Sequence, residues 1–397
     1  MPSRIVGIAI TAILLLPPSP RLHAEDLIVR DARGLNAILP TAKPGDRILL
    51  QPGDYVGNFF FRNIHGTQAK PITLTASDPA RPPHLKGRNL CLQFSGASHL
   101  IVSDLELSGA RGNGLVLDDA EKFDRPATGI TLKNLRVHDI GPNGNCDGIK
   151  LSGLDGFRIE NCTVERWGDG GSAIDMVGCH RGLILDCSFR NGGDNGVQMK
   201  GGSTDITLRR CLFQDAGARA INLGGSTEDR FFRPPLKSMP ADRRYEAKNL
   251  RVEGCTFVGG SAAVAFVGVD GAIVRFNTFY HPERHVMRIL QENTEPGFVP
   301  SRDGQFLDNI IVFRSDRWSE GGVNLGPDTS PKSFRFARNA WYCDDRPERS
   351  APNLPTPGVD EIVGKDPQFQ DASKLDFRLK TSSPAAGRGS TALPVVK

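Results

Sequence analysis

Apolar and polar positions alternate in a short burst that recurs along most of this chain. The burst reads Leu92-Gln93-Phe94, Leu115-Val116-Leu117, Ile149-Lys150-Leu151, Ile174-Asp175-Met176, Val197-Gln198-Met199, Ile221-Asn222-Leu223, Val264-Ala265-Phe266, Met287-Arg288-Ile289 and Val323-Asn324-Leu325. A small or apolar companion follows, usually 13 residues after the first member: Leu105, Leu135, Cys162, Cys187, Cys211, Cys255, Asn277, Asn309 and Asn339. A period of two predicts strands rather than helices. Burst centres are separated by 23, 34, 25, 23, 24, 43, 23 and 36 residues, so a bare coil takes about 23 and the longer steps carry insertions. One such coil cannot bury its inner residues alone, and stacking is what makes a continuous core. The expected fold is all-β, a right-handed parallel β-helix of about nine to eleven coils.

The rest of the chain reads as accessories to that solenoid. Residues 1–24 resemble a secretory signal: Arg4, an apolar run from Ile5 to Leu16, prolines 17, 18 and 20, and a cleavage site after Ala24. The expected destination is the periplasm or the outside of the cell. Residues 25–90 are expected to form an N-terminal cap and first coils, with a short helix over 35–42. The helix proper spans 91–345, and the Pro-rich segment 346–397 is a C-terminal tail or cap. No stretch after the signal is long and apolar enough to span a membrane.

Alternation sends Ile149 and Leu151 inward and Lys150 outward. Over successive coils this sets Lys150, Asp175, Gln198 and Asn222 in one outer column, with Lys200 in the next column. Beyond them the columns turn apolar at Ala265 and Val267. The longest insertion, 226–247, carries Phe231, Phe232, Arg233 and Tyr245 beside this patch, a mixture suited to sugar rings bearing acid groups. Asp175, Gln198, Asn222, Phe231, Phe232, Arg233 and Tyr245 are therefore the candidate substrate-binding residues.

A cationic patch of this kind fits β-elimination on a uronic-acid polymer. That reaction needs the C6 carboxylate neutralised, a base for the C5 proton and departure of the C4 oxygen. Lys200 is the first candidate base and Lys150 the reserve, while Arg219 or Arg288 can clamp the carboxylate. Asp194 and Asn195, with Asp175, offer oxygen ligands for calcium. Hydrolysis would want two carboxylates at a defined separation, and the alternation alone does not put Asp147 and Asp175 at equivalent positions.

Composition narrows the classes. Net charge is only +4 with a pI near 8.6, too mild to point to nucleic acid but compatible with an acidic polysaccharide. The eight cysteines include four at equivalent companion positions, Cys162, Cys187, Cys211 and Cys255, which read as a reduced, buried stack. Pairing among Cys91, Cys146, Cys179 and Cys343 is left open. The chain is expected to act as a monomer.

One segment carries a resemblance. Pro44-Gly45-Asp46-Arg47-Ile48-Leu49-Leu50-Gln51-Pro52-Gly53-Asp54-Tyr55, then Gly66-Thr67 and Pro71-Ile72-Thr73-Leu74-Thr75-Ala76, resembles the N-terminus of the alginate lyase and chondroitinase B family of polysaccharide lyases. The resemblance implies a right-handed parallel β-helix with an N-terminal cap, a Lys base, an Arg in the following coil and commonly a calcium ion. Val197-Gln198-Met199-Lys200-Gly201-Gly202-Ser203 is similar to the strand bearing the family's Lys, which places that role on Lys200. The family's Arg falls on Gly224, and its acidic calcium ligands fall on Gly193 and Asn195. A lyase of acidic polysaccharides is the leading expectation. A non-catalytic polysaccharide-binding or surface protein, or a β-helix hydrolase or epimerase, stands as the alternative.

Overall fold

A computed structural model describes residues 24–393. The expected signal segment therefore lies outside the described residues, apart from Ala24. The chain winds through three parallel sheets of 14, 10 and 12 strands, each coil adding a strand to each sheet in turn. The coil that begins with Ile149–Ser152 in the ten-stranded sheet continues through Leu154–Glu160 in the fourteen-stranded sheet. It closes with Thr163–Glu165 in the twelve-stranded sheet, then re-enters the first sheet at Ser172–Val177.

All nine bursts lie side by side in the ten-stranded sheet. Leu115 pairs with Ile149, Ile149 with Ile174, Ile174 with Val197, and Val197 with Ile221. Insertions do not disturb this register: Ile221 pairs with Val264 across the longest step. A tenth member precedes them, because Phe59-Phe60-Phe61 pairs with Leu92-Gln93-Phe94. Inward side chains are fully buried, and Phe189, Phe213, Phe257 and Phe279 stack at ring-centroid distances of 4.9, 4.8 and 4.7 Å. Offset aromatic contacts at such distances add to the area they bury.

The companion residues form a buried ladder at the bend between the fourteen- and twelve-stranded sheets. The residue before each is left-handed, with φ between 50° and 64° at Asp104, Asn134, Asn161, Asp186, Arg210, Gly254, Phe276, Asp308 and Arg338. Asp, Asn and Gly tolerate that conformation best, which accounts for six of the nine. After the bend, the amides of Cys162, Cys211, Cys255, Asn277 and Asn309 donate to the companion side chain one coil on. Cys162 N–H meets Cys187 Sγ at 3.4 Å, and Cys255 N–H meets Asn277 Oδ1 at 2.8 Å. Asn277 then donates its N–H and Nδ2 to Asn309 Oδ1, at 2.9 and 3.0 Å, and Asn309 repeats this on Asn339. All eight cysteines are free and buried, so the stack is reduced, and so are the four whose pairing was open. Burial pushes the Cys91 thiol up to about 11 and Cys179 up to about 12, which keeps both protonated.

The ends are closed differently. The helix Ala32–Ile38 starts three residues earlier than the sequence suggested, because the Asp31 side chain accepts from Gly34 N–H at 2.7 Å and caps it. Leu35 and Leu39 seal the first coil. At the other end, Phe369–Asp371 and Asp376–Leu379 form an antiparallel pair. Phe369 and Leu379 pack on Ile310, Val312 and Ala340, and Ser390 bonds Thr278 at 3.0 Å. The tail thus runs back along the outside of the helix.

The ladder makes a direct prediction. Asn309→Ala strips Asn277 of two acceptor contacts in a buried setting and should cost about 3 kcal/mol in urea unfolding. A loss below about 1 kcal/mol would show that the ladder does not hold the coils.

Candidate active-site cleft

The outer face of the ten-stranded sheet carries a cleft of about 980 Å³ running from Phe60 and Arg62 to Lys200. Its floor is the outward column of the register: Gln93, Val116, Lys150, Asp175, with Asp118, Ser152, Val177 and Lys200 beside them. Its roof is the start of the 226–247 insertion, including Thr227, Arg230, Phe231 and Arg233.

At the centre two lysines share one carboxylate. Lys150 Nζ lies 2.8 Å from Asp147 Oδ2 and 3.1 Å from Asp175 Oδ2. Lys200 Nζ lies 3.5 Å from Asp175 Oδ1 and donates to Gln198 Oε1 at 3.1 Å. Asp147 and Asp175 are almost wholly buried, whereas the two lysines keep 29% and 21% of their side chains exposed and so present the surface a ligand meets. Burial, and next the charge of Asp175, pushes the Asp147 carboxyl up, with Lys150 opposing. Burial disfavours a charged Lys150, yet Asp175 and Asp147 outweigh it and hold the ammonium above the usual lysine range. Lys150 is therefore a fixed cation, and its reserve role as base is corrected.

Other expected residues fall in three places. Arg219 faces outward one strand further on, but its guanidinium is tied to Glu292 Oε1 at 2.6 Å and Asn222 Oδ1 at 3.3 Å. Arg288 lies three strands beyond Lys200, bonded to Asn324 Oδ1 at 2.9 Å. At about 4.8 Å per strand that is some 14 Å away, so Arg288 cannot clamp a sugar whose C5 meets Lys200. Asn222 is buried under Arg219 rather than open to the cleft.

The insertion divides its residues between roof and anchor. Phe231 is 41% exposed with Arg230 stacked on its ring, and it does face the cleft. Phe232 does not: it is wholly buried with Leu236, Met239 and Phe298. Arg233 is a clasp instead of a substrate ligand. Its Nε and Nη2 meet Asp119 Oδ2 and Oδ1 at 2.6 and 2.9 Å, and both partners are buried. Tyr245 lies away from the cleft, in a separate hollow with Lys248, Asp270 and Arg302.

The residues do not make a calcium cage. Asn195 Nδ2 occupies Asp194 Oδ2 at 2.8 Å; the buried oxygens here without a hydrogen bond are Asn195 Oδ1 and Asp175 Oδ1, the latter 3.5 Å from the Lys200 ammonium. The nearby buried carboxylates, Asp147 and Asp175, already hold the Lys150 ammonium, and calcium wants six or more oxygens. The family's Arg position is closed as well. Gly224 has φ of 104°, and a Cβ there would meet Val267 O at 1.8 Å, so no side chain fits.

Sequence reasoning weighed Asp147 only as a partner of Asp175 for hydrolysis and missed its contact with Lys150, and it passed over Phe60 and Arg62. Asp147 precedes Lys150 by three residues and reaches it from the turn, outside the period-two pattern. Phe60 and Arg62 were legible: Phe59-Phe60-Phe61 repeats the burst inside a segment assigned to the cap.

Comparison with known proteins bears on the fold. The family described as "Right handed beta helix region" matches residues 90–232, less than half of the chain. The fold is a right-handed parallel β-helix. Solved structures sharing it include an alginate lyase from Paenibacillus sp. str. FPU-7, 17% identical, covering 76% of this chain and 99% of that one with a TM-score of 0.55. Pectate lyase Pel9A is 12% identical over 92% of this chain and 91% of its own, TM-score 0.56. A GH136 lacto-N-biosidase from Eubacterium ramulus is 14% identical over 85% and 68%, TM-score 0.57. At these identities the likeness establishes the fold, which serves both lyases and a glycosidase. No curated protein matches the sequence.

The clasp is testable. Arg233→Ala leaves Asp119 buried without its counter-charge and should destabilise by about 3–5 kcal/mol. Adding Asp119→Ala should recover part of that loss in thermal unfolding; a double-variant loss equal to the sum of the two single-variant losses would mean the pair is not coupled.

Proposed function

We propose that the protein acts on an acidic polysaccharide laid along the ten-stranded sheet and cleaves it by β-elimination. The observation carrying this reading is the pair of solvent-reaching lysines sharing Asp175 on the floor of a roofed cleft. Lys150, held charged by Asp147 and Asp175, meets the C6 carboxylate of a bound uronate and makes its C5 proton more acidic. Lys200 is the base that takes that proton. The electron pair from the C5–H bond becomes the C4–C5 double bond as the C4–O bond breaks; the departing oxygen takes a proton from solvent water, and Lys200 returns the C5 proton to solvent. Phe60 and Phe231 offer ring faces to sugars on either side, and Arg62 and Arg230 offer charge to neighbouring uronates. That two fold relatives are an alginate lyase and a pectate lyase agrees with this substrate class.

Export belongs to the proposal, resting on the signal-like residues 1–24. No helix of the described residues is long and apolar enough to cross a membrane.

Hydrolysis is the second reading. Asp147 and Asp175 share one ammonium, and the raised Asp147 carboxyl is the state a general acid needs. A uronide panel separates the two. Elimination predicts ultraviolet absorbance from unsaturated products on alginate, pectate or a glycosaminoglycan, without added calcium. Reducing ends without absorbance would move the assignment to hydrolysis. Lys200→Ala should lower kcat by at least about 100-fold, the usual contribution of a positioned base, while leaving the circular dichroism unchanged. Retained turnover would remove Lys200 from the reaction.

A further inference from the structure

A second cluster lies on the twelve-stranded sheet, on a face the cleft does not use. His84, Glu106 and His138 come from the strands His84–Lys86, Glu106–Ser108 and Arg136–His138 of three successive coils. One ligand atom of each lies within 4.8 Å of the others. We propose that these residues bind a zinc ion that staples the three coils together.

The chemistry of the donors selects the metal. Two imidazoles and one carboxylate suit a borderline ion such as zinc, not calcium or magnesium, which prefer oxygen alone. The outer partners have the arrangement that tunes such a site. His138 Nδ1 is held by Asp139 Oδ2 at 2.6 Å, which turns Nε2 toward Glu106 Oε1 at 2.7 Å. His84 Nδ1 faces Asp54 Oδ1 at 3.7 Å, and its Nε2 lies 2.7 Å from Ser108 Oγ, on the strand that bears Glu106. Asp139 behind His138 fixes that ring's tautomer and raises its basicity as a ligand, while Asp54, 3.7 Å away, places a negative charge behind His84.

The geometry is near closure. Ligands about 2.1 Å from tetrahedral zinc stand about 3.4 Å apart, so side-chain shifts of about 1 Å complete the site. Binding replaces the proton between His138 and Glu106 and displaces the Ser108 contact. Arg136 donates to Glu106 at 2.9 Å, but it also bonds Glu165 and keeps a partner when Glu106 turns to the metal. Three protein ligands leave a fourth position for water. Binding in this way adds a metal cross-link to the three coils near the N-terminal end, and it stabilises the folded state by mass action.

The test uses the full chain, stripped with EDTA and titrated with zinc chloride by calorimetry and with cobalt chloride by visible absorbance. One equivalent of zinc should bind and raise the unfolding midpoint. Cobalt should show ligand-field bands without the thiolate charge-transfer band that cysteine ligation produces. His84→Ala and His138→Ala should each abolish that equivalent, and Asp139→Asn should weaken it by about 10- to 100-fold. His138→Gln replaces His138→Ala if the latter does not fold by circular dichroism. Absence of binding to the wild type would overturn the proposal. So would a thiolate band, or stoichiometric binding that survives both histidine variants.

Discussion

Everything in this molecule depends on each strand sitting directly over the previous one. Parallel main-chain pairing with inward side chains stacked like on like fixes that register, since a slip of one residue would turn every buried side chain outward. The cost of each step is met locally: a left-handed residue makes the bend, and from Cys255 to Asn309 the companion after it also donates its amide to the side chain one coil on. Insertions of any length can then leave the stack, because the coil resumes at the same pairing, as Ile221 and Val264 do across the 226–247 loop.

The same constraint assembles the candidate site. Lys150, Asp175 and Gln198 are cross-strand neighbours only because their buried flanks are paired. Parallel strands stacked at about 4.8 Å bring Asp175 within reach of a lysine from either side. A buried carboxylate facing two lysines holds them unequally: Lys150 is gripped by Asp147 and Asp175 at 2.8 and 3.1 Å, whereas Lys200 meets Asp175 at 3.5 Å and Gln198 at 3.1 Å. The roof depends on a second electrostatic contact, since Arg233 closes on Asp119, far away in sequence but on the cleft's own rim.

What could be read from the sequence follows from which features are periodic. The strands, the cysteine stack and the column Lys150–Asp175–Gln198 repeat with the coil, so alternation exposes them. Asp147 sits in a turn, where period two does not apply, and its contact with Lys150 could not be inferred from spacing. The insertion has no period at all, so nothing in its composition separates Phe231, on the roof, from Phe232, inside the loop's own small core. Position 224 shows the reverse case: glycine there is required by φ of 104° and the approach of Val267 O, and an expected arginine gives way to backbone geometry.

The most direct test of the central claim is a crystal structure of the Lys200→Ala protein soaked with an acidic uronate oligosaccharide. The account predicts a sugar chain in the cleft between Phe60 and residue 200, with one carboxylate on Lys150 Nζ and its C5 hydrogen aimed at the space Lys200 vacated. Sugar bound on another sheet, or lying in the cleft with its carboxylates turned away from Lys150, would contradict it.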